Sequence, residues 1–388
     1  MIDDRELFER AVERFAPPEG SFERLVTRRD RKHRNKRITA GVVAAIVALA
    51  GVGTVLKAFD GGPRTPVSPS PSPLATNGDI TFVGRGESDM ASLYLVDPIG
   101  GATERILDLD PDCRRRGTTW CDPWITSVDW SPDGTRIAYA LYGAPGRGVG
   151  DSAGIYVMEV GTERIHRLTH CSAPCARQDD VEWSPDGSRI AYTQMDSDFC
   201  NSPSNFAGSC SIRTMSADGT DRTQLFTGSV VDPVNPTWAP DGTRIAFSGR
   251  AAEDEDHWLV YTMALDGSEP LPLAPDLRAP EQNLPAWSPD GSTIALLADG
   301  GGTAEEGWPY ELWLVTVDGS ERRLLTLGCC RVGGSGLSAE AAEWSPDASQ
   351  LLIHEGSFIP PEVINVSSAE RSVVDVKAGG AIAWQPVP

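Results

Sequence analysis

The feature that most constrains the fold is a string built on Trp-Ser-Pro-Asp-Gly, which occurs five times in the chain. The copies are WSPDGTRIAYA from Trp130, WSPDGSRIAYT from Trp183, WAPDGTRIAFS from Trp238, WSPDGSTIALL from Trp287 and WSPDASQLLIH from Trp344. A shorter sixth copy, AIAWQP, contains Trp384. Successive tryptophans are 40 to 57 residues apart, a period that indicates one supersecondary unit per repeat.

Each copy predicts a β-hairpin. Proline presets φ for a turn and glycine tolerates φ > 0, so Pro-Asp-Gly separates a strand that ends at tryptophan from the strand that follows. A weaker repeat, seen in LYLVDPIGGATERI and IYVMEVGTERI, interleaves with the first and adds a second hairpin. Each unit therefore has four strands, A to D, with strand A ending at the tryptophan. Four antiparallel strands repeated around an axis form a propeller blade.

The number of repeats predicts an all-β, six-bladed β-propeller. The first unit, ITFVG…LYLV…TERIL, has strands B, C and D but no preceding tryptophan strand. The last tryptophan strand, residues 381–386, has no B, C or D strand after it. We therefore expect the C-terminus to supply the inner strand of the first blade, which closes the ring and removes an open edge.

The WSPDG…IAY strings resemble the repeat of the TolB-like β-propeller family across about four-fifths of the chain. The resemblance implies the propeller fold. It implies little about activity, because that family includes binding scaffolds, protein-contact modules and appendages of peptidases. The chain departs from TolB itself in its membrane anchor and in having no room for a separate N-terminal α/β domain, so a TolB-like partner does not carry over.

The N-terminal part predicts a single-pass membrane anchor. Residues 38–56 are nineteen uncharged, mostly apolar residues, and nineteen residues of helix span roughly 28 Å, about the thickness of the hydrocarbon layer. Seven Lys and Arg lie in residues 28–37, which places the N-terminus in the cytoplasm and the propeller outside. A cleaved signal peptide is the competing interpretation, but 37 residues before the apolar core exceed a usual n-region.

These signals divide the chain into four parts and locate it at the cell membrane, with the propeller extracytoplasmic. The parts are a basic helical cytoplasmic head (1–37), a transmembrane helix (38–58), a Pro/Ser-rich linker (59–77) and the propeller (78–388). The head resembles, loosely, the cytoplasmic heads of actinobacterial single-pass regulators, including anti-sigma-like proteins. It contains no cysteine for a zinc-type anti-sigma domain.

Charge is unevenly distributed and argues against nucleic acid as a partner. Residues 1–77 carry 13 Lys and Arg against 9 Asp and Glu, whereas the remainder carries 21 against 46. A domain that is this acidic repels phosphate backbones and attracts cations or basic peptides. An acidic surface that serves only solubility is the alternative.

All eight cysteines lie in the part predicted to be outside, where an even count indicates disulfides. They are Cys113, Cys121, Cys171, Cys175, Cys200, Cys210, Cys329 and Cys330. Local pairing, 113 with 121, 171 with 175 and 200 with 210, would staple one loop each. The 329–330 pair then forms a vicinal bridge or stays reduced. Alternatively His166, His170, Cys171 and Cys175, in HRLTHCSAPC, bind Zn²⁺.

No motif makes a convincing enzyme, and no cofactor is expected. Gly150-Asp-Ser152-Ala-Gly154 matches the nucleophile elbow of hydrolases, but a strand follows it where that elbow requires a helix. Asp129, Glu182 and Glu343 directly precede repeat tryptophans and are candidates for a cation site near the axis, although the other three blades have Thr or Ala there. The aspartates of the turns are expected to be structural.

The insertions favour one face of the propeller as a binding surface. A–B and C–D turns are short, whereas B–C and D–A connections carry the long insertions 109–125, 142–153, 169–179, 194–209, 249–257, 299–309 and 328–340. Stapled loops on a rigid scaffold are typical of binding sites. The candidate contact residues for a protein or cell-envelope ligand are Trp120, Trp124, Trp308, Arg114, Arg115 and Arg116. The rival functions are a regulator that signals through residues 1–37 and a propeller enzyme such as a lyase.

Overall fold

A computed structural model describes most of the repeat region of the chain. The described residues are 76–84, 92–98, 103–109, 124–142, 153–162, 164–172, 175–196, 210–225, 227–252, 254–265, 269–278, 284–299, 310–326, 341–354, 360–374, 376 and 378–387. The predicted head and transmembrane helix lie outside these residues. Within the described ranges no helix is long and apolar enough to span a membrane.

The described residues form 24 strands. In chain order they are β1 (Thr76–Gly84), β2 (Ser92–Val96), β3 (Glu104–Asp108), β4 (Trp124–Trp130), β5 (Arg136–Tyr142), β6 (Gly154–Glu159), β7 (Arg164–Arg167), β8 (Arg177–Trp183), β9 (Arg189–Met195), β10 (Cys210–Ser216), β11 (Thr223–Gln224), β12 (Val230–Trp238), β13 (Arg244–Ala251), β14 (Asp254–Ala264), β15 (Leu271–Pro272), β16 (Ala286–Trp287), β17 (Thr293–Asp299), β18 (Tyr310–Thr316), β19 (Glu321–Thr326), β20 (Ala341–Trp344), β21 (Gln350–His354), β22 (Glu362–Asn365), β23 (Arg371–Val373) and β24 (Ala378–Val387).

The strands pair into six four-stranded antiparallel sheets, which confirms the predicted six-bladed propeller. Blade 1 has the order β24-β1-β2-β3, and blades 2 to 6 each consist of four consecutive strands beginning with β4, β8, β12, β16 and β20. The strand that contains the repeat tryptophan is the innermost strand of each blade, as the repeat predicts.

The C-terminal strand closes the ring, as predicted. Ile80, Thr81 and Phe82 of β1 pair with Trp384, Ala383 and Ile382 of β24. The closing strand is longer than the predicted residues 381–386, and β1 begins two residues before the predicted boundary at 78. Thr76 pairs with Val387 at the end of the blade where the A–B turns lie, so the chain enters the propeller on that face.

The repeat tryptophans are core residues between blades. All six are only 2% to 8% exposed. Each tryptophan faces the preceding blade. Trp130, for example, packs with Val83 and Leu93 of blade 1, and its Nε1 donates to Thr81 Oγ1 at 2.8 Å. Successive side chains along a strand point to opposite faces of the sheet. The residue just before each tryptophan therefore faces the following blade.

The A–B turns are fixed by their aspartates, here called the turn aspartates: Asp133, Asp186, Asp241, Asp290 and Asp347. In blade 3, Asp186 Oδ1 accepts hydrogen bonds from Ser184 Oγ at 2.6 Å and Ser188 N at 3.0 Å. Hydrogen bonds to their oxygens outweigh partial burial and lower the pKa of all five. The structural role predicted for these residues is confirmed.

Candidate functional site

The two faces of the propeller differ, and the difference is built into the strand connections. The A–B turns form one face, here called the turn face, and the B–C and D–A connections form the other, the loop-rich face. One predicted insertion is wrong: β13 extends to Ala251 and β14 starts at Asp254, so residues 249–257 are mostly a β-hairpin. Continued strand pairing such as Arg250 with Trp258 extends the sheet there.

The D–A connection between blades 2 and 3 is covalently stapled. Cys171 and Cys175 form the predicted disulfide, so their sulfurs are not available as zinc ligands and the alternative zinc site is wrong. Thr169 Oγ1 donates to Gln178 Oε1 and accepts from Ile155 N at 2.8 Å, which ties the connection to both blades. Cys210 is also disulfide-bonded. The other five cysteines lie outside the described residues.

The inner strands surround the axis and form an open edge there, so their backbone N–H groups need partners. The side chains of Asp129, Glu182 and Glu343, here called the axial carboxylates, accept hydrogen bonds from some of these N–H groups across the joints between blades. Asp129 Oδ2 accepts from Trp183 N at 2.6 Å, Glu182 Oε1 accepts from Trp238 N at 3.0 Å, and Glu343 Oε1 accepts from Trp384 N at 2.9 Å. Each carboxylate precedes the tryptophan of one blade and binds the tryptophan backbone of the next.

The environment of the axial carboxylates favours their protonated form. Burial raises the pKa of Asp129 to about 7, against the hydrogen bonds from Trp183 and Trp130. Burial, aided by the charge of Asp129, raises the pKa of Glu343 to about 8. The pKa of Glu182 rises well above its usual range through burial and then through the charges of Asp129 and Glu343. The three groups therefore interact electrostatically around the axis.

The axial carboxylates do not assemble a metal site. Among the described residues, no group of three or more His, Cys, Asp or Glu side chains is arranged to hold a metal ion. Asp129, Glu182 and Glu343 thus link blades, and the cation site considered from their repeat position is not formed by them.

A polar cluster, here called the blade 3/4 rim, lies where the inner strands of blades 3 and 4 begin, on the loop-rich face. It consists of Arg177, Asp179, Asp180, Asp232, Asn235 and Arg250. Two ion pairs are central to it, Arg177 with Asp179 and Arg250 with Asp232, in each of which the carboxylate is buried and the arginine is partly exposed. Each guanidinium also lies 5.5 Å from an aromatic ring centroid, that of Tyr142 or of Trp258.

The backbone of the rim is irregular. Asp180, Asp232 and Asn235 have φ of 52°, 49° and 54°, and the strand register shifts beside each of them. Such bulges turn side chains and are frequent next to functional sites. The backbone N–H of Asn235 donates to Asp180 Oδ2 at 3.3 Å across the blade joint. Burial and the adjacent charge of Asp179 raise the pKa of Asp180 to about 7.

Sequence reasoning missed the rim. The available signal was the composition of two inner strands, RQDDVEW in β8 and VVDPVNPTW in β12. Both carry charged side chains before the tryptophan, whereas the inner strands of blades 1 and 5 have no charged residue. Charged groups are rarely buried unless paired. Two acidic residues in a buried strand therefore indicate a specific arrangement.

One predicted contact residue lies within the described structure. Trp124 is the first residue of β4, partly buried, and its ring centroid lies 5.9 Å from that of Tyr142. It therefore lies on the same face as the blade 3/4 rim. Tyr142 contacts both Trp124 and the guanidinium of Arg177. Trp120, Trp308, Arg114, Arg115 and Arg116 lie outside the described residues, as does Ser152, and their roles stay predictions.

Comparisons with known proteins establish the fold. No family profile matches the chain. A stretch of 130 residues is 28% identical to part of the uncharacterized peptidase YuxL of Bacillus subtilis, and it covers 32% of this chain but only 17% of that protein. TolB from Acinetobacter baumannii superposes with a TM-score of 0.57 at 18% identity, over 80% of this chain and 67% of TolB.

A chain of the nidogen/laminin complex superposes with a TM-score of 0.56 at 11% identity, over 79% of this chain and 98% of that one. The protein is thus a six-bladed β-propeller with the architecture seen in TolB and in that complex. Sequence identities this low show that the fold is shared and say nothing about function, which has to be inferred from the site.

Proposed function

We propose that the protein is a membrane-anchored extracytoplasmic binding or sensing module, without catalytic activity, that contacts a protein or cell-envelope ligand through its loop-rich face. The observation that carries this proposal is the asymmetry of the two faces. The turn face is built from short, self-satisfied turns, whereas the loop-rich face combines a disulfide-stapled connection with the blade 3/4 rim.

The position where the chain enters the propeller also supports the loop-rich face as the binding surface. Residue 76, where β1 begins, lies on the turn face, so the predicted linker (59–77) joins the propeller on the side opposite the rim. A tether attached there leaves the loop-rich face unobstructed by its own attachment point. The presence of a propeller of this fold in the nidogen/laminin complex shows that the architecture occurs in a protein–protein assembly.

The experiment that tests the working face compares matched substitutions. Trp124→Ala and Tyr142→Ala alter the loop-rich face, while Asp218→Ala and Asp318→Ala alter exposed C–D turns on the other face. Cross-linking in intact cells, followed by mass spectrometry, measures the co-purified species. We expect the first pair to reduce a specific cross-linked species at least tenfold and the second pair to leave it unchanged. Loss caused only by the turn-face pair would contradict the proposal.

Membrane anchoring is tested separately by topology. Protease added to intact spheroplasts should digest residues 78–388 and leave the head, residues 1–37, protected. A protected propeller would overturn the proposed orientation. If anchoring holds but neither face affects the cross-linked species, the regulator that signals through residues 1–37 becomes the better candidate.

A further inference from the structure

The inner strands carry many more acidic than basic side chains near the axis. Strands β4, β8, β12, β16, β20 and β24 together carry six carboxylates and one arginine. The carboxylates are Asp129, Asp179, Asp180, Glu182, Asp232 and Glu343, and the arginine is Arg177. Arg177 pairs with Asp179, and Arg250 of β13 pairs with Asp232.

Neither of these ion pairs includes an axial carboxylate, so the inner strands supply no cation for Asp129, Glu182 or Glu343. Strands β16 and β24 contain no titratable side chain, and the only charged groups of β4 and β20 are Asp129 and Glu343 themselves. Strand β8 adds Asp180, a further carboxylate. The neighbouring residue, Val181, donates its N–H to Ser127 Oγ of blade 2 at 3.2 Å. In addition to burial, the charges of Asp129 and Glu343 raise the pKa of Glu182, and the charge of Asp129 raises that of Glu343, so ionisation of one group opposes ionisation of the others.

One atom shows where a proton would be retained. Oε2 of Glu343 is buried and has no hydrogen-bond partner among the described residues, whereas Oε1 accepts from Trp384 N. A buried carboxylate oxygen without a donor strongly disfavours the charged form. The hydrogen bond to Trp384 survives protonation, because Oε1 remains an acceptor when the proton is on Oε2.

We propose that Asp129, Glu182 and Glu343 form a proton-dependent lock at three of the six blade joints: the ring closes with at least one of the three carboxyls protonated, and full ionisation loosens those joints. The locked joints are 2/3, 3/4 and 6/1. Thr237, Ala286 and Ala383 occupy the same position in the other inner strands, so the remaining joints carry no such group.

The lock has a defined thermodynamic signature. Between the ordinary carboxyl pKa and the raised value, a closed joint binds more protons than an opened one, so the free energy of opening that joint falls as pH rises. The window runs from about pH 4 to about pH 8, set by the raised pKa of Asp129 and of Glu343. For each proton retained, the equilibrium constant for opening a locked joint rises roughly tenfold per pH unit within this window.

The test uses hydrogen exchange of the full-length chain from pH 5 to pH 9, corrected for the intrinsic pH dependence of exchange. We expect peptides that cover β8, β12 and β24 to lose at least tenfold in protection across this range, while a peptide that covers β17 in blade 5 does not. In the triple variant D129N/E182Q/E343Q, which keeps an acceptor oxygen at each position, the loss should disappear. The matched control D133N/D186N/D290N changes only turn aspartates and should retain it.

A second measurement covers the case in which the triple variant does not fold. Infrared difference spectra of the wild-type chain should show the carbonyl stretch of a protonated carboxylic acid at pH 7, and the single change E343Q should diminish it. Absence of that band at pH 7, or an equal loss of protection in β17 and β24, would overturn the lock. Neither outcome concerns the ligand of the loop-rich face, so the proposed binding function stands or falls independently.

Discussion

The turn aspartates and the axial carboxylates carry the same functional group in opposite surroundings. In blade 3 the two kinds are only four residues apart, Glu182 at the end of the inner strand and Asp186 in the turn that follows. Ser184 and Ser188 donate to Asp186 within its own turn, and its pKa is lowered. Glu182 accepts from residues of the next blade in the protein interior, and its pKa is raised.

The comparison shows that the two kinds of carboxylate stabilise different levels of the structure. The turn carboxylates are satisfied locally and gain from being charged, so they define each hairpin. Each axial carboxylate accepts a hydrogen bond from the neighbouring blade, and burial disfavours its charged form. Local hydrogen bonds therefore build the blades, and long-range ones join them.

The largest expected loss of stability comes from removing the axial carboxylate of blade 3, Glu182. Glu182→Ala removes the acceptor for Trp238 N and Thr237 Oγ1, which leaves two buried donors unsatisfied at joint 3/4. We expect a loss of about 2–3 kcal/mol in the free energy of unfolding, from the cost of buried unpaired donors. Denaturant unfolding at pH 7 measures it. Glu182→Gln keeps the acceptor and should lose much less; equal losses would show that the charge, and not the hydrogen bond, matters.

The next effect concerns acid. Because the pKa values of the turn aspartates are lowered in the folded state, their stabilisation is complete above the ordinary aspartate pKa of about 4 and is lost as pH falls below it. We expect the thermal midpoint to decline from pH 5 to pH 2.5. The variant D133N/D186N/D290N should show a shallower decline, since three of the five groups no longer titrate. A decline of unchanged steepness would mean that other carboxylates control acid stability.

A single turn should matter less than a single joint. Asp186→Ala removes the acceptor for Ser184 Oγ and for Ser188 N and Oγ. Ser188 is exposed and turns to water instead, so only one buried donor, Ser184 Oγ, loses its acceptor. We therefore expect a loss of about 1 kcal/mol. The comparison with Glu182→Ala in the same unfolding assay is the informative result. A turn variant that is as unstable as the joint variant would erase the distinction between local and long-range carboxylates.

The smallest expected effect is a gain at the turn of blade 6. Ala348 has a φ of 60°, at the position where the other repeats have glycine with φ of 66° to 72°. A left-handed conformation costs alanine roughly 1 kcal/mol relative to glycine. Ala348→Gly should therefore raise stability by about 0.5–1 kcal/mol, measured as a higher denaturant midpoint. The equivalent change Ser349→Gly, next to it, offers no such relief and serves as the control.

Much of the propeller was predictable because its signals are local. The repeat of Trp130 and its five counterparts gave the number of blades, Pro-Asp-Gly gave the turns, and the unmatched strand around Trp384 gave the closure of the ring. Cys171 and Cys175 are four residues apart, and their pairing followed from that proximity. The hairpin at 249–257 was mistaken for a loop because its residues lack the alternation of a typical strand.

The sequence by itself determined how each A–B hairpin is made, since the Ser and Thr hydroxyl groups that donate to the turn aspartates lie only two positions from them. Only the tertiary structure decided what the residue before each tryptophan does. Asp129, Glu182 and Glu343 find their partners 54, 56 and 41 residues away in another blade, and no local pattern encodes that distance. The blade 3/4 rim has the same origin, because burial and pairing of charges depend on how closed sheets meet around an axis.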